Sequence, residues 1–172
     1  AKKLNKLTQV ASMGYTIPGA VIGIGVLGLA TYFHDVFNWY ISGSFILLIF
    51  GLTFRLIAVS FQNVKTGFKQ LPKSTIDLGS SLGISSRKMF KSIYFPLSKS
   101  YLAIGFLLVF IDTLKELPLT LILRPFNFDT LATKTYEYAN DELLLSAFHV
   151  APLIILISIV PIWLLQKTNA YD

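Results

Sequence analysis

Long apolar stretches alternate with polar ones along this chain. Four of the apolar stretches are long enough to cross a hydrocarbon core of about 30 Å as helices. They lie near Thr16–Phe33, Ile41–Phe61, Tyr101–Leu123 and Leu143–Leu165, and a long, more polar stretch over residues 62–100 separates the second from the third. The pattern predicts an all-α fold, a polytopic helical membrane protein with four transmembrane helices.

The composition supports this membrane interpretation. Hydrophobic residues make up 53% of the chain and charged residues 14%, and the mean hydropathy is +0.62. A soluble domain of 172 residues cannot bury that much apolar surface, so the bilayer is the natural solvent. None of the stretches has the charged start, short apolar core and cleavage site of a signal peptide. The chain begins without Met, and we expect it to be a fragment of a longer protein.

Basic residues are concentrated in the connections on one side of the predicted spans. The net charge of +6 would suggest nucleic acid binding in a soluble protein, but here basic and non-basic connections alternate. The Phe33–Ser44 connection has no Lys or Arg, and Arg124–Ser146 has two basic residues against four acidic ones. By the positive-inside rule, both termini and the loop over residues 62–100 are cytoplasmic. We therefore expect the lipid bilayer, and no nucleic acid, among the partners. The basic residues on the cytoplasmic side are Lys2, Lys3, Lys6, Lys65, Lys69, Lys73, Arg87, Lys88, Lys91, Lys99 and Lys167.

Four charged side chains fall inside the predicted spans. Arg55 lies near the cytoplasmic end of the second span, where it can reach the interface or pair with an acid on a neighbouring helix. Asp112, Lys115 and Glu116 have helical spacing in the third span, so we expect them on one side of a helix. We favour a structural Asp112–Lys115 pair over direct contact with a substrate. Pro118 frees the backbone carbonyl four residues before it and predicts a kink there.

The polar connections offer little enzymatic chemistry. The chain has no cysteine, phosphate-binding loop, serine nucleophile with a base or HExxH pattern, so we expect no catalytic residue and no ATP hydrolysis by this chain. Thr135–Glu142 is rich in oxygen ligands that suit a hard cation such as ferric iron. A solvated loop facing a periplasmic partner is the preferred interpretation, and we predict no metal site.

The loop over residues 62–100 has a helix–glycine–helix pattern. Ser74 can cap a first short helix, with Asp77 three residues later, and Gly83 can end it in the left-handed conformation. Ser85 can cap a second helix, which Pro96 closes before the next span begins. Its apolar side carries Phe90, Ile93, Tyr94 and Leu97. An amphipathic helix resting on lipid is one interpretation. The paired arrangement favours a helix that binds a groove on a partner.

This loop resembles the EAA signature of bacterial ABC importer permeases. The residues that carry the resemblance are Asp77, Gly79, Gly83, Ile93 and Pro96. The chain departs from the signature with Asp for Glu at the acidic position, Leu-Gly for the two alanines and Phe for Leu before the proline. The resemblance implies a MetI-like permease core, with residues 62–100 as the loop that couples the spans to an ATPase.

Other runs resemble the iron(III)-type permeases of this class. They are Tyr15–Gly19, Phe54–Val59, Lys115–Pro118, Leu123–Ala132 and Tyr136–Ala139. Together with the coupling loop, the resemblance extends over nearly the whole chain. It implies that residues 1–172 form the C-terminal portion of a permease transmembrane domain.

The resemblance also implies a mechanism and a set of partners. A periplasmic binding protein would deliver the substrate to this chain and a second permease half in the inner membrane, and the resemblance favours ferric iron as that substrate. A dimer of ABC ATPase subunits would bind ATP and Mg²⁺, so this chain needs no cofactor of its own. Asp77 would anchor the coupling helix, Gly83 would permit its turn and Ile93 would pack back on the core. The outcome would be alternating access.

Other functions are compatible with parts of the sequence. ABC permeases for thiamine, polyamines or other small solutes share the coupling signature. A secondary transporter or a channel would instead show an inverted repeat of broken helices or a selectivity filter, and neither is visible in the sequence. A purely structural membrane scaffold leaves the spacing of the coupling loop unexplained.

Overall fold

The computed structural model describes residue 14, residues 16–70, residue 81 and residues 83–169. This part of the chain is helical and contains no strand, which confirms the all-α prediction. A π-helical turn, Phe90–Tyr94, joins the helix that ends at Met89 to the helix that begins at Phe95. The helices are α1 (Gly19–Phe37), α2 (Phe45–Gln70), α3 (Ser86–Met89), α4 (Phe95–Leu114), α5 (Pro118–Leu123), α6 (Leu131–Asn140) and α7 (Leu144–Asn169).

Four helical segments in the described part are long and apolar enough to cross a membrane. They are Gly19–Phe37, Phe45–Gly67, Arg87–Leu114 and Leu144–Leu164. Only 6% of the fourth segment is buried within the chain, so most of its surface requires lipid or another subunit as its surroundings. The four predicted spans are therefore present as helices.

The third span differs from its predicted bounds. The helix does not run from Tyr101 to Leu123, because it begins before Tyr101 and ends at Leu114, and a separate short helix, α5, follows. Pro96 does not close a helix either, since α3, the π-turn and α4 are continuous across it. Proline has no N–H to donate, and the wider π-turn just before it accommodates the missing bond. The backbone N–H of Phe95 donates to the carbonyl of Phe90, five residues back.

The hydrophobic core lies where α1, α2 and α5 meet. Its buried members are Ile22, Val26, Ala30, Leu47, Leu48, Leu119 and Leu123. Gly51 of α2 permits the close approach of α5, because a Cβ at this position would lie 2.5 Å from a methyl carbon of Leu123. The short helix after the break is thus held against two of the spanning helices.

Helices α2 and α4 pack closely along much of their length. Gly67 faces the ring of Tyr101, where an added Cβ would come within 2.5 Å of the ring. A Cβ on Gly105 would lie 3.5 Å from the backbone of Ser60. Small residues let two transmembrane helices approach and gain van der Waals contact, which replaces the hydrophobic driving force that lipid does not provide.

The orientation in the membrane gives a first testable prediction. Single cysteines at Ser85 and Asn140, both exposed, should be labelled from opposite sides. In intact spheroplasts, a membrane-impermeant thiol reagent should label position 140 and leave position 85 unlabelled until the membrane is opened. Labelling of position 85 in intact spheroplasts would reverse the orientation.

Candidate functional site

The candidate site is a break in the helical path at residues 115–117. Helix α4 ends at Leu114, and α5 begins with Pro118. The backbone N–H groups in the first turn of a helix have no partner within the helix, so proline, which has no N–H, loses no hydrogen bond there. The backbone N–H of Glu116 donates to the carbonyl of Thr113 over 3.2 Å, which turns the chain out of the α-helix. The predicted kink at Pro118 is therefore a full helix end followed by a new helix.

Glu116 is the buried acid of this break. Its side chain is only 7% exposed, and Oε2 lies 2.9 Å from Nε of Arg55 on α2, although the N–H is not aligned for a hydrogen bond. Oε1 accepts a hydrogen bond of 3.3 Å from the backbone N–H of Leu119. Nη1 of Arg55 donates to the carbonyl of Ile17, also over 3.3 Å. The pair therefore links the segment before α1 to α2 and α5.

Arg55 lies deeper than the sequence suggested. Helix α2 extends to Gln70, so Arg55 lies well inside the helix, about 15 Å from its first residue, Phe45. Of the two possibilities that the sequence left open, pairing with an acid on a neighbouring segment is the one observed.

Gly19 gives the ion pair its space. A Cβ built on Gly19 would lie 2.5 Å from both Nη1 of Arg55 and Oε1 of Glu116. Real Cβ atoms are not found that close to other atoms, so a side chain at this position requires the flexible ends of both charged side chains to shift. Glycine lets the first turn of α1 cover the pair without that shift.

Lys115, the residue before Glu116, forms a second ion pair. Its Nζ lies 2.9 Å from Oδ1 of Asp112, one helical turn earlier, as the spacing predicted. The Asp112 side chain is 16% exposed and that of Lys115 is 63% exposed. The prediction that Asp112, Lys115 and Glu116 share one helix side is wrong, because the helix ends at Leu114 and the chain turns before Glu116.

A network of four charged side chains lies beyond α5, on the side we assign to the periplasm. Arg124 contacts Asp129 and donates to Glu137 over 2.6 Å. Lys134 lies 3.1 Å from Glu137 and 3.5 Å from Asp129. These acids are therefore neutralised by cations rather than gathered for a metal. In the part of the chain that the structure describes, no three acidic, His or Cys side chains form a metal-binding group.

Sequence reasoning missed this network. It concentrated on the oxygen-rich Thr135–Glu142 segment and treated it as a solvated loop, whereas most of that segment belongs to α6. Thr130 caps α6 through a reciprocal pair of bonds with Thr133, which positions Lys134 and Glu137 on the side that faces Arg124. The i,i+3 spacing of Lys134 and Glu137 was a usable signal.

The network makes a prediction about pH. Hydrogen bonds from Arg124 and then from Lys134 hold the pKa of Glu137 below its usual value of 4.5. A lowered folded-state pKa contributes stability above the unfolded value, and that stability is lost as pH falls through the folded value. We expect Glu137→Gln to have a lower melting temperature than the parent protein at pH 7, in detergent, and the difference to narrow as pH falls below 4.5. A difference that persists undiminished at low pH would contradict this assignment.

Only part of the coupling loop lies within the described residues. Asp77 and Gly79 fall outside them, and their predicted roles stay predictions. Gly83 has φ +66°, the left-handed conformation expected from its position. Ile93 is half-buried in the π-turn, and Pro96 is exposed in the first turn of α4. The functional roles of these three residues also remain predictions.

Most of the sequence is similar to known membrane transport proteins. Residues 4–168 match the sequence model of a family described as binding-protein-dependent transport system inner membrane component. The chain is also similar to the Fe(3+)-transport system permease protein FbpB 2 of Haemophilus influenzae, with 25% identity over 154 residues. That similarity covers 89% of this chain but 29% of the relative, so the chain spans less than a third of the relative's length.

Proposed function

Because this chain belongs to the family of binding-protein-dependent transport system inner membrane components, we propose that it forms part of the translocation pathway of an ATP-driven importer. It is a permease component and resides in the inner membrane. Its proposed partners are a periplasmic binding protein, a second permease half and a pair of ABC ATPase subunits. The ATPase subunits would bind ATP and Mg²⁺, and this chain would bind no cofactor.

The observation that carries the proposal is the continuous helical segment from Ser86 to Leu114. It spans about 40 Å, and it begins just after the Gly83 turn and ends at the break that contains Glu116. A displacement at the cytoplasmic end of such a rod moves its other end within the membrane. This geometry supports a mechanism in which ATPase movement opens the pathway to one side and then to the other.

The cytoplasmic end of this rod has a surface suited to a protein partner. Phe90, Phe95 and Leu97 are each about half exposed, and Arg87 and Lys88 are exposed nearby. Amphipathic helices with exposed apolar anchors bind into grooves on partner proteins. We propose that the groove belongs to the ATPase subunit. The same features suit a lipid surface, so binding to the ATPase must be measured directly.

We propose ferric iron as the cargo. The support comes from the similar protein, whose name states Fe(3+) transport, and from the runs that resemble iron(III)-type permeases. The charge network beyond α5 has its acids paired with cations, so we assign it to structure or to contact with the binding protein. Thiamine, polyamines and other small solutes are the alternative cargoes.

Uptake by the complete transporter tests the proposal. The permease would be assembled with its ATPase and binding protein, and labelled ferric iron would be offered with an excess of thiamine or of putrescine. We expect ATP-dependent iron uptake that neither competitor reduces. Uptake without ATP, or failure of an ATPase to copurify with the full-length permease, would favour a secondary transporter or a channel. ATP-dependent uptake of a competitor but not of iron would change the cargo.

A further inference from the structure

The turn between α5 and α6 carries an almost fully exposed aromatic ring. Phe126 is 92% exposed, more than any other large apolar side chain in the part of the chain that the structure describes. It follows Pro125, and the backbone N–H of Phe128 closes the turn by donating to the carbonyl of Pro125 over 3.2 Å. The turn lies between the third and fourth candidate spans and belongs to neither. A single exposed apolar residue needs no explanation by itself, so the surroundings of Phe126 decide what it does.

The turn is held in place on both sides of Phe126. The ring of Phe128 packs against the hydrophobic core, with its centroid 4.8 Å from that of Phe45 on α2. Arg124 and Asp129, the residues that flank the turn, form an ion pair with each other, and Arg124 also donates to Glu137 of α6. An aromatic side chain on a backbone that is already ordered loses little conformational entropy when it binds. Phe126 is therefore displayed as a preorganised contact.

The charges around Phe126 favour a protein partner over lipid. The four side chains of the ion-pair network are each between 24% and 38% exposed, so an occupant of this surface meets charges of both signs. An aromatic anchor with arginine and a polar rim is the usual composition of a protein interface. Trp39 and Tyr40 differ, because they closely follow the end of a candidate span at Phe37. Exposed Trp and Tyr at span ends are typical of contact with the lipid interface.

We propose that Phe126 is the anchor by which this permease binds the periplasmic binding protein. The inference rests on the proposed function and assigns one of its partners to one surface. The turn lies on the side that we assign to the periplasm, opposite the basic loop. The family is described as binding-protein-dependent, so its transporters need a contact surface for that protein on this side. The complementary surface on the binding protein would be an apolar pocket for the ring, flanked by polar groups of both signs.

The response of ATP hydrolysis to the binding protein tests the anchor. In the assembled transporter, we expect Phe126→Ala to raise the binding-protein concentration for half-maximal stimulation by about tenfold or more, as loss of an aromatic hot spot does. The rate at saturation should change little. Phe126→Trp should retain most of the affinity, and Phe106→Ala is the matched control, since Phe106 is 68% exposed but lies within a candidate span. An unchanged half-maximal concentration for Phe126→Ala would overturn the proposal, whatever happens to the saturated rate.

Photocrosslinking identifies the occupant of the surface. With p-benzoylphenylalanine in place of Phe126, illumination of the complete transporter with its binding protein should join position 126 to the binding protein. The same group in place of Phe106 should not. Crosslinks from position 126 only to lipid or to a second permease half would overturn the proposal. If the binding protein fails to stimulate the unmodified transporter, the proposed function fails as well. Normal stimulation of the parent with no effect of Phe126→Ala would remove this inference alone.

Discussion

Replacing Glu116 with glutamine is expected to lower the free energy of unfolding by about 3–5 kcal/mol, the typical cost of leaving one member of a buried ion pair without its partner. Glutamine keeps an oxygen that can accept the hydrogen bond from Leu119, so the change removes the charge and retains the cap of α5. The positive charge of Arg55 would remain inside the membrane with no acid beside it. Unfolding of the purified permease in mixed micelles would measure the loss.

A double variant distinguishes the contribution of the ion pair to stability from the contribution of each residue by itself. Combining Glu116→Gln with Arg55→Met removes both charges, and replacing a complete buried pair is often neutral. We expect the double variant to regain most of the lost stability. Asp35→Asn is the matched control, since Asp35 is 68% exposed in its pair with His34 and should change stability by less than about 1 kcal/mol. A double variant less stable than Glu116→Gln would show that Arg55 stabilises the fold without Glu116, through its hydrogen bond to Ile17.

Gly19→Ala should weaken the same pair without changing any charged residue. Its new Cβ needs the space taken by Nη1 of Arg55 and Oε1 of Glu116. We expect a loss of stability smaller than that of Glu116→Gln, because the charges can shift and remain near each other. Combining Gly19→Ala with Glu116→Gln should cost less than the two losses added together, since residues in contact are not independent. Additive losses would mean that Gly19 acts elsewhere.

Features that depend on local physics could be predicted from the sequence. Apolar runs long enough for the bilayer predicted four spanning helices, and these are confirmed. Asp112 and Lys115 are one helical turn apart, so their ion pair required only a helix up to Leu114. Helical patterns flank Gly83, and glycine adopts positive φ without strain, so a left-handed turn could be predicted there. Gly83 has φ +66°.

Features that depend on tertiary packing could not be predicted in the same way. Arg55 and Glu116 are far apart in the chain, and only the packing of the α2, α4 and α5 segments brings them together. Hydropathy places a span by its apolar residues, but a helix can continue beyond them, as the Arg87–Leu114 segment does where it begins before Tyr101. Pro118 signalled a perturbed helix, but whether it produces a kink or a complete break depends on the partners that Glu116 finds after the turn.

Gly83→Val is expected to uncouple the ATPase from transport while leaving the spans intact. A β-branched residue in the left-handed conformation costs about 1–2 kcal/mol, so the turn should change its conformation. A Cβ at this position would meet nothing within 4 Å, and the penalty therefore comes from the backbone alone. The continuous helical segment that starts at Ser86 would then leave the cytoplasmic loop at a different angle. Substrate-stimulated ATP hydrolysis by the assembled complex should fall several-fold.

Two further variants determine whether the left-handed turn itself carries the effect. Gly83→Asn should retain most of the coupling, because asparagine tolerates positive φ far better than valine does. Gly43→Val imposes the same kind of strain on the opposite side of the membrane, since Gly43 has φ +69° and open space around it. It should lower stability by a similar amount and leave ATP hydrolysis responsive to substrate. If Gly83→Val transports normally, or if Gly43→Val uncouples equally well, the turn at Gly83 is not part of the coupling element. If only the substitution at Gly83 uncouples ATP hydrolysis from transport, the coupling depends on the angle at which the Ser86–Leu114 helical segment meets the ATPase.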